Sequence, residues 1–115
     1  MSRVAYSTPW GTIRLGPAFH HLPAREQQAV LAHERGHIVH RHAFKRLAWL
    51  VTLRAFFRTE AFFAECRRQE LEADHYAAQQ GHAAGLISFL FRRQLHVESP
   101  DYPSSRERVE ALRVR

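Results

Sequence analysis

Short β-favouring segments open the chain, and apolar positions at helical spacing follow. Arg3–Tyr6 and Thr12–Leu15 flank Ser7–Thr8–Pro9–Trp10–Gly11, whose proline and glycine suit a tight connection, so the pattern predicts a hairpin closed by Gly16–Pro17. Beyond Pro23 a long run of helix formers extends from Ala24 to His42, with Ala29, Val30, His33, His37, Val39 and the later Phe44 at rough helical spacing. A second helix is expected from Ala43 to about Phe57, with Phe44, Leu47, Ala48, Val51 and Ala55 on one stripe. A third runs from Ala61 to Gln80 and stops at Gly81, and a fourth covers Ala83 to His96 and ends at Ser99–Pro100. Ser104 or Ser105 can cap a last helix through Leu112, with Glu107 in its first turn. The result is an α+β chain, mostly helical, with one small N-terminal sheet.

With 115 residues, the chain has the size of a single domain covering 1–115, large enough to fold without disulfides. Its one cysteine, Cys66, excludes an internal disulfide framework and a cysteine-rich zinc site. No segment approaches a membrane-spanning length, since the apolar run Leu47–Leu53 is cut by Arg54, and no signal sequence follows Met1. A soluble, cytoplasmic domain is therefore expected. Sixteen arginines against one lysine leave a net charge of +6, which suits an anionic partner met through a basic surface. The arginines are scattered and form no nucleic-acid module, so nucleic acid is a lesser alternative. Trp49, Phe56, Phe57, Phe62 and Phe63 surround Arg54 and Arg58; these rings are expected to build the core under the arginine stems, the alternative being a membrane-touching or partner-binding surface.

The chemistry lies in His33–Glu34–Arg35–Gly36–His37, which reads H-E-x-x-H within a helical segment. Imidazoles four residues apart share one helix face and can grip one ion, and Glu34 is adjacent, where a carboxylate can meet the attacking water. Composition alone yields about 0.05 such matches by chance, so the motif needs a third ligand. His40 lies a further turn along, too far to share a tetrahedral ion with both histidines, and the metzincin pattern fails because Ala43 stands where it needs histidine. Cys66 can supply a thiolate, although lone cysteines are more often buried hydrophobes. Glu70 is favoured, because Glu70 and Asp74 share a helix face: Glu70 can bind metal while Asp74 orients a ligand imidazole. Small Ala73 and Gly36 would let the two metal-bearing helices approach closely.

His33-Glu34-x-Gly36-His37 followed by Glu70-x-x-Ala73-Asp74 resembles the gluzincin metallopeptidases, specifically the M48 group of Ste24- and HtpX-type enzymes. The likeness extends to the lead-in Leu22–Glu34, to Arg41–His42, to Ala73–Ala78 and to Tyr102–Val109, and so covers most of residues 12 to 112. It departs from the family in lacking membrane helices and an upstream helical region, in the short interval between His37 and Glu70, and in Arg35 where an apolar residue is usual. In scale the chain is similar to minigluzincins. ImmA/IrrE-type regulatory peptidases share the metal helices, but Tyr102–Val109 fits M48 better.

The resemblance implies a zincin-like fold with an active-site helix, a Zn2+ cofactor held by His33, His37 and Glu70, Glu34 as general base, and a peptide or protein substrate. It also implies that Thr12–Leu15 is a sheet edge to which an extended peptide adds. His75, Tyr76, Tyr102 and Arg108 are each able to supply an oxyanion donor; Tyr76 and Arg108 are the catalytic candidates among them, and Arg108 can equally pair with Asp74. His20, His21, His42, His82 and His96 have no ligand spacing and are expected at the surface or in the core. The alternative to a peptidase is a basic nucleic-acid- or partner-binding module with a structural metal.

Overall fold

The computed structural model describes residues 4–92 and 103–113. The predicted hairpin is present as β1 (Ala5–Ser7) and β2 (Ile13–Leu15), antiparallel, with Ala5 opposite Leu15 and Ser7 opposite Ile13. Its connection is closed by the Thr8 amide on the Thr12 carbonyl at 2.9 Å, and Gly11 sits at a φ of 84°. That left-handed conformation suits a residue without a Cβ. A 3-10 turn, Pro17–His21, leads to Pro23, and α1 runs from Ala24 to Val39.

Helix α1 ends where Arg41 adopts a left-handed φ of 57°, and α2 (His42–Val51) leaves in a new direction. Arg41 thus ends the first predicted helix short of His42, and the second is itself broken: Leu53 is left-handed at φ 61° and a single further turn, α3 (Arg54–Phe57), follows. Helix α4 (Thr59–Gln79) closes with Gly81 at φ 88°, the residue anticipated as its stop. Helix α5 spans Ala83–Arg92; the expected continuation to His96 and the stop at Ser99–Pro100 lie outside the described residues. Helix α6 covers Ser105–Arg113, with the Glu107 amide donating to Ser104 Oγ at 3.0 Å, an N-terminal cap.

Helix α1 lies between α4 and α5, and the tight crossings occur at glycines. A Cβ placed on Gly36 would stand 2.9 Å from the Ala73 Cα, and one on Gly85 would stand 2.6 Å from the Arg25 carbonyl oxygen. The core forms around these crossings from Ala29, Ala32, Ala77, Leu86, Leu90, Val109 and Leu112. A second cluster, Val4, Phe19 and Val30, seats the hairpin on α1. Glu26, buried in the first turn of α1, accepts hydrogen bonds from Ser88 and Arg92 of α5, and this ties the two helices together.

The aromatic group does not build the core as expected. Trp49 packs on Phe62 at 5.6 Å and carries the Arg54 guanidinium at 4.4 Å, but Phe56 and Phe57 are exposed. Phe44, Leu47 and Val51 of the α2 stripe are exposed as well. The left-handed residues on either side set this: Arg41 turns α2 away from the line of α1, and Leu53 ends it. Among the described residues no helix is long and apolar enough to cross a membrane.

Candidate metal centre

Helical spacing on α1 stacks His33 above His37 on the face turned to α4, and the Gly36–Ala73 contact brings α4 close enough for Glu70 to reach both rings. His33 Nε2 and His37 Nε2 are 3.1 Å apart, Glu70 Oε1 is 3.2 Å from His33 Nε2, and Glu70 Oε2 is 2.7 Å from His37 Nε2. All three side chains are buried. A tetrahedral zinc with ligands at about 2.0–2.1 Å has ligand-to-ligand edges of about 3.3 Å, so the donor set fits such an ion with small outward adjustments. Glu34 is buried beside it: its carboxylate and the two imidazoles offer donor atoms all within 4.8 Å of one another.

Behind the ligands are two hydrogen-bonded supports. His33 Nδ1 donates to Asp74 Oδ1 at 2.7 Å, which leaves Nε2 to face the centre, and Arg108 grips both Asp74 oxygens at 2.7 and 2.8 Å. Burial opposes charge on His33, but the hydrogen bonds to Asp74 and Glu70 prevail, and its pKa is pushed up to about 10. Glu70 is held well below the usual carboxylate range, burial being outweighed by the charges and hydrogen bonds of His37 and His33. Asp74 is likewise lowered, chiefly by Arg108 acting against burial. The two carboxylates facing these imidazoles favour positive charge at this point, which a bound metal ion would supply.

The second support is on the His37 side. His37 Nδ1 lies 2.8 Å from His42 Nδ1, and His42 Nε2 lies 2.7 Å from Glu72 Oε1. With His37 Nε2 turned to the centre, its Nδ1–H donates to His42, and His42 Nε2–H donates to Glu72. Burial lowers the pKa of His42 to about 4, in keeping with this neutral tautomer. His40 stacks on the His42 ring at 5.4 Å, and His40, His42 and Glu72 form a second group able to hold a metal, although both nitrogens of His42 already have partners. On the carboxylate side, Arg46 Nη2 donates to Glu70 Oε2 at 3.3 Å, and Arg46 Nε donates to Gln69 at 2.6 Å.

Of the remaining sequence candidates, Cys66 is a buried thiol one turn before Glu70 and belongs to neither donor group. Arg108 takes the second of its two anticipated places, on Asp74, and so acts on the centre through His33. Tyr76 lies at the α1–α4 crossing, its Cβ against Gly36. His75 Nδ1 is a buried polar atom without a hydrogen-bond partner among the described residues, and Tyr102 lies outside them. The sequence reading missed His42, Arg46 and Glu72. His42 reaches His37 only because Arg41 turns the chain back, and periodicity cannot register such a reversal.

A cleft of about 330 Å³ opens beside His37. Thr8–Gly11 of the hairpin connection form one wall, and Ile38, Arg41, Ala43 and Phe44 at the α1–α2 junction form the other. Thr12–Leu15 does not line this cleft; it is the connection, with Trp10 at its tip, that overhangs it.

Two histidines and a glutamate on crossed helices, with a second glutamate beside the first histidine, form a donor set of the kind that holds a zinc ion. Residues 19–66 match the family model for Peptidase family M48. The matched segment contains His33, Glu34 and His37 and ends before Glu70, whose place at the site comes from the fold. No curated protein and no solved structure gives a significant match.

Proposed function

We propose that the chain is a zinc-dependent endopeptidase that acts in the cytoplasm on peptide or protein substrates. The observation that carries this reading is the convergence of His33, His37 and Glu70 at 2.7–3.2 Å, with the Glu34 carboxylate alongside. A purely structural site would close around its ion with a fourth protein ligand and would have no use for the neighbouring carboxylate.

Zinc bound by these three residues supplies the Lewis acidity that lowers the pKa of water and polarises the scissile carbonyl. Glu34 takes the proton of the attacking water and returns it to the departing amine. Asp74, fixed by Arg108, holds His33 in the tautomer that presents Nε2, and His42 with Glu72 does the same for His37. The substrate lies in the cleft between the hairpin connection and the α1–α2 junction, where an extended segment reaches His37. Tyr76, whose Cβ meets Gly36 at the α1–α4 crossing, is the catalytic candidate on α4.

The test pairs a metal assay with a peptidase assay on Glu34→Gln. The variant is expected to bind about one zinc per chain and to cut an unstructured protein at least about a hundredfold more slowly than the parent. Undiminished cleavage by Glu34→Gln would remove Glu34 from the mechanism. A zinc-loaded parent that cuts nothing and binds DNA with a steep salt dependence would favour the nucleic-acid-binding alternative.

A further inference from the structure

Between Gly36 and Thr59 the sequence contains no Asp or Glu, while it contains Arg41, Lys45, Arg46, Arg54 and Arg58. The same stretch carries the largest concentration of exposed apolar side chains described. Val51 is 72% exposed, Phe56 72% and Phe57 84%, with Leu50 and Leu53 also exposed. Arg54 and Arg58 are exposed among them. Single apolar residues at a surface are ordinary; five large ones within eight positions, interleaved with cations, are not.

The backbone adds an independent indication. The turn between α2 and α3 depends on a left-handed φ of 61° at Leu53, a conformation that costs a branched side chain about 1 kcal/mol and that glycine or asparagine adopts readily. Leu53 is 52% exposed, so packing offsets little of that cost. It does place a large apolar group at the tip of the turn, between Val51 and Phe56.

We propose that the end of α2, the Leu53 turn and α3 form a docking face for an anionic lipid bilayer, with Val51, Leu53, Phe56 and Phe57 entering the boundary between headgroups and acyl chains and Arg54 and Arg58 meeting lipid phosphates. Charge selects this occupant. A second copy of the chain packed about a two-fold axis would set Arg54 and Arg58 against the same cations, and like charges at close range repel. A nucleic acid would use the cations but would leave the phenylalanines in water. A bilayer with anionic lipids satisfies both. Phe44, in the first turn of α2, also lines the cleft, so docking would present the cleft beside the membrane surface.

The test is co-sedimentation of the full chain with phosphatidylcholine vesicles, with and without phosphatidylserine. The parent is expected to bind the phosphatidylserine vesicles at least about tenfold more tightly, and less tightly as salt is raised. Phe56→Ser with Phe57→Ser, and separately Arg54→Glu with Arg58→Glu, are each expected to remove that preference while leaving the circular dichroism spectrum unchanged. Arg25→Glu with Arg106→Glu, which changes net charge equally on other exposed surface, is expected to stay within about twofold of the parent. Equal loss in this control would reduce the effect to net charge and overturn the proposal. Full binding by the phenylalanine variant would also overturn it. So would a parent that ignores both vesicles but forms a dimer in sedimentation velocity that the phenylalanine variant abolishes, because the face would then belong to a second copy.

Discussion

Replacing Gly36 by alanine probes the contact on which the metal centre depends. The new Cβ would lie 2.9 Å from the Ala73 Cα, 3.0 Å from the Ala73 carbonyl oxygen and 3.0 Å from the Tyr76 Cβ. Carbon atoms settle at about 3.5–4.0 Å, so α1 and α4 must separate locally by about 0.7 Å, and two of the three obstacles are backbone that cannot rotate away. Overpacking of this kind costs about 1–3 kcal/mol, and the better helix propensity of alanine returns about 1 kcal/mol. The net loss is then about 0–2 kcal/mol, a fall in Tm of up to roughly 10 °C measured with chelator present. The metal suffers more than the fold, because His33 and His37 ride on one helix and Glu70 on the other. A displacement of that size exceeds the ~0.2 Å tolerance of a zinc site, and zinc affinity is expected to fall about tenfold or more. Gly85→Ala is the matched control: its Cβ would meet the Arg25 carbonyl oxygen at 2.6 Å, on the α1–α5 side, so stability should fall while zinc affinity falls little. Zinc affinity from competition with a chromophoric chelator, and Tm from circular dichroism, give both readouts. A Gly36→Ala protein with unchanged zinc affinity and an equal or higher Tm would refute the close α1–α4 crossing.

Three further outcomes are expected. Glu70→Ala should lose more than about a hundredfold in zinc affinity while Cys66→Ser keeps the parent value, and the reverse pattern in the same chelator titration would move the third ligand to Cys66. Asp74→Asn, which weakens the support of His33 and leaves Arg108 without its carboxylate, should lower zinc affinity about ten- to a hundredfold; an unchanged value would show that Asp74 does not orient the ligand. The Arg92 hydrogen bond, acting against burial and aided by Ser88, holds Glu26 below its ordinary carboxylate range, so folding favours its ionised form. That contribution is fully present above the unfolded pKa, near 4.5, and is lost as pH falls through the lower folded value. Tm measured against pH should therefore fall more steeply on the acid side for the parent than for Glu26→Gln, and parallel curves would contradict the assignment.

The residues that set element ends by their own chemistry were legible in the sequence: the Pro9–Gly11 connection, Pro23 before α1, Gly81 after α4, and Ser104 with Glu107 at α6. The close helix crossing was legible too, because Gly36 stands beside His37 and Ala73 lies between Glu70 and Asp74. The parts that depend on a left-handed residue were not. Arg41 and Leu53 have unremarkable helix propensities, so nothing local announced that the chain would reverse at one and break at the other. His42 consequently has no role in the sequence reading, although it supports His37, and the aromatic group from Trp49 to Phe63 is expected in a core that Phe56 and Phe57 do not reach. Apolar spacing is the same whether a face meets the interior or a partner, and only the fold distinguishes the two.

X-ray absorption at the zinc edge, on protein loaded with one equivalent of zinc, bears most directly on the centre itself. Two imidazole nitrogens, a carboxylate oxygen and a further light-atom ligand at about 2.0–2.1 Å are predicted, with the carboxylate signal lost in Glu70→Ala. A sulfur ligand near 2.3 Å, or a spectrum that Glu70→Ala leaves unchanged, would contradict the account.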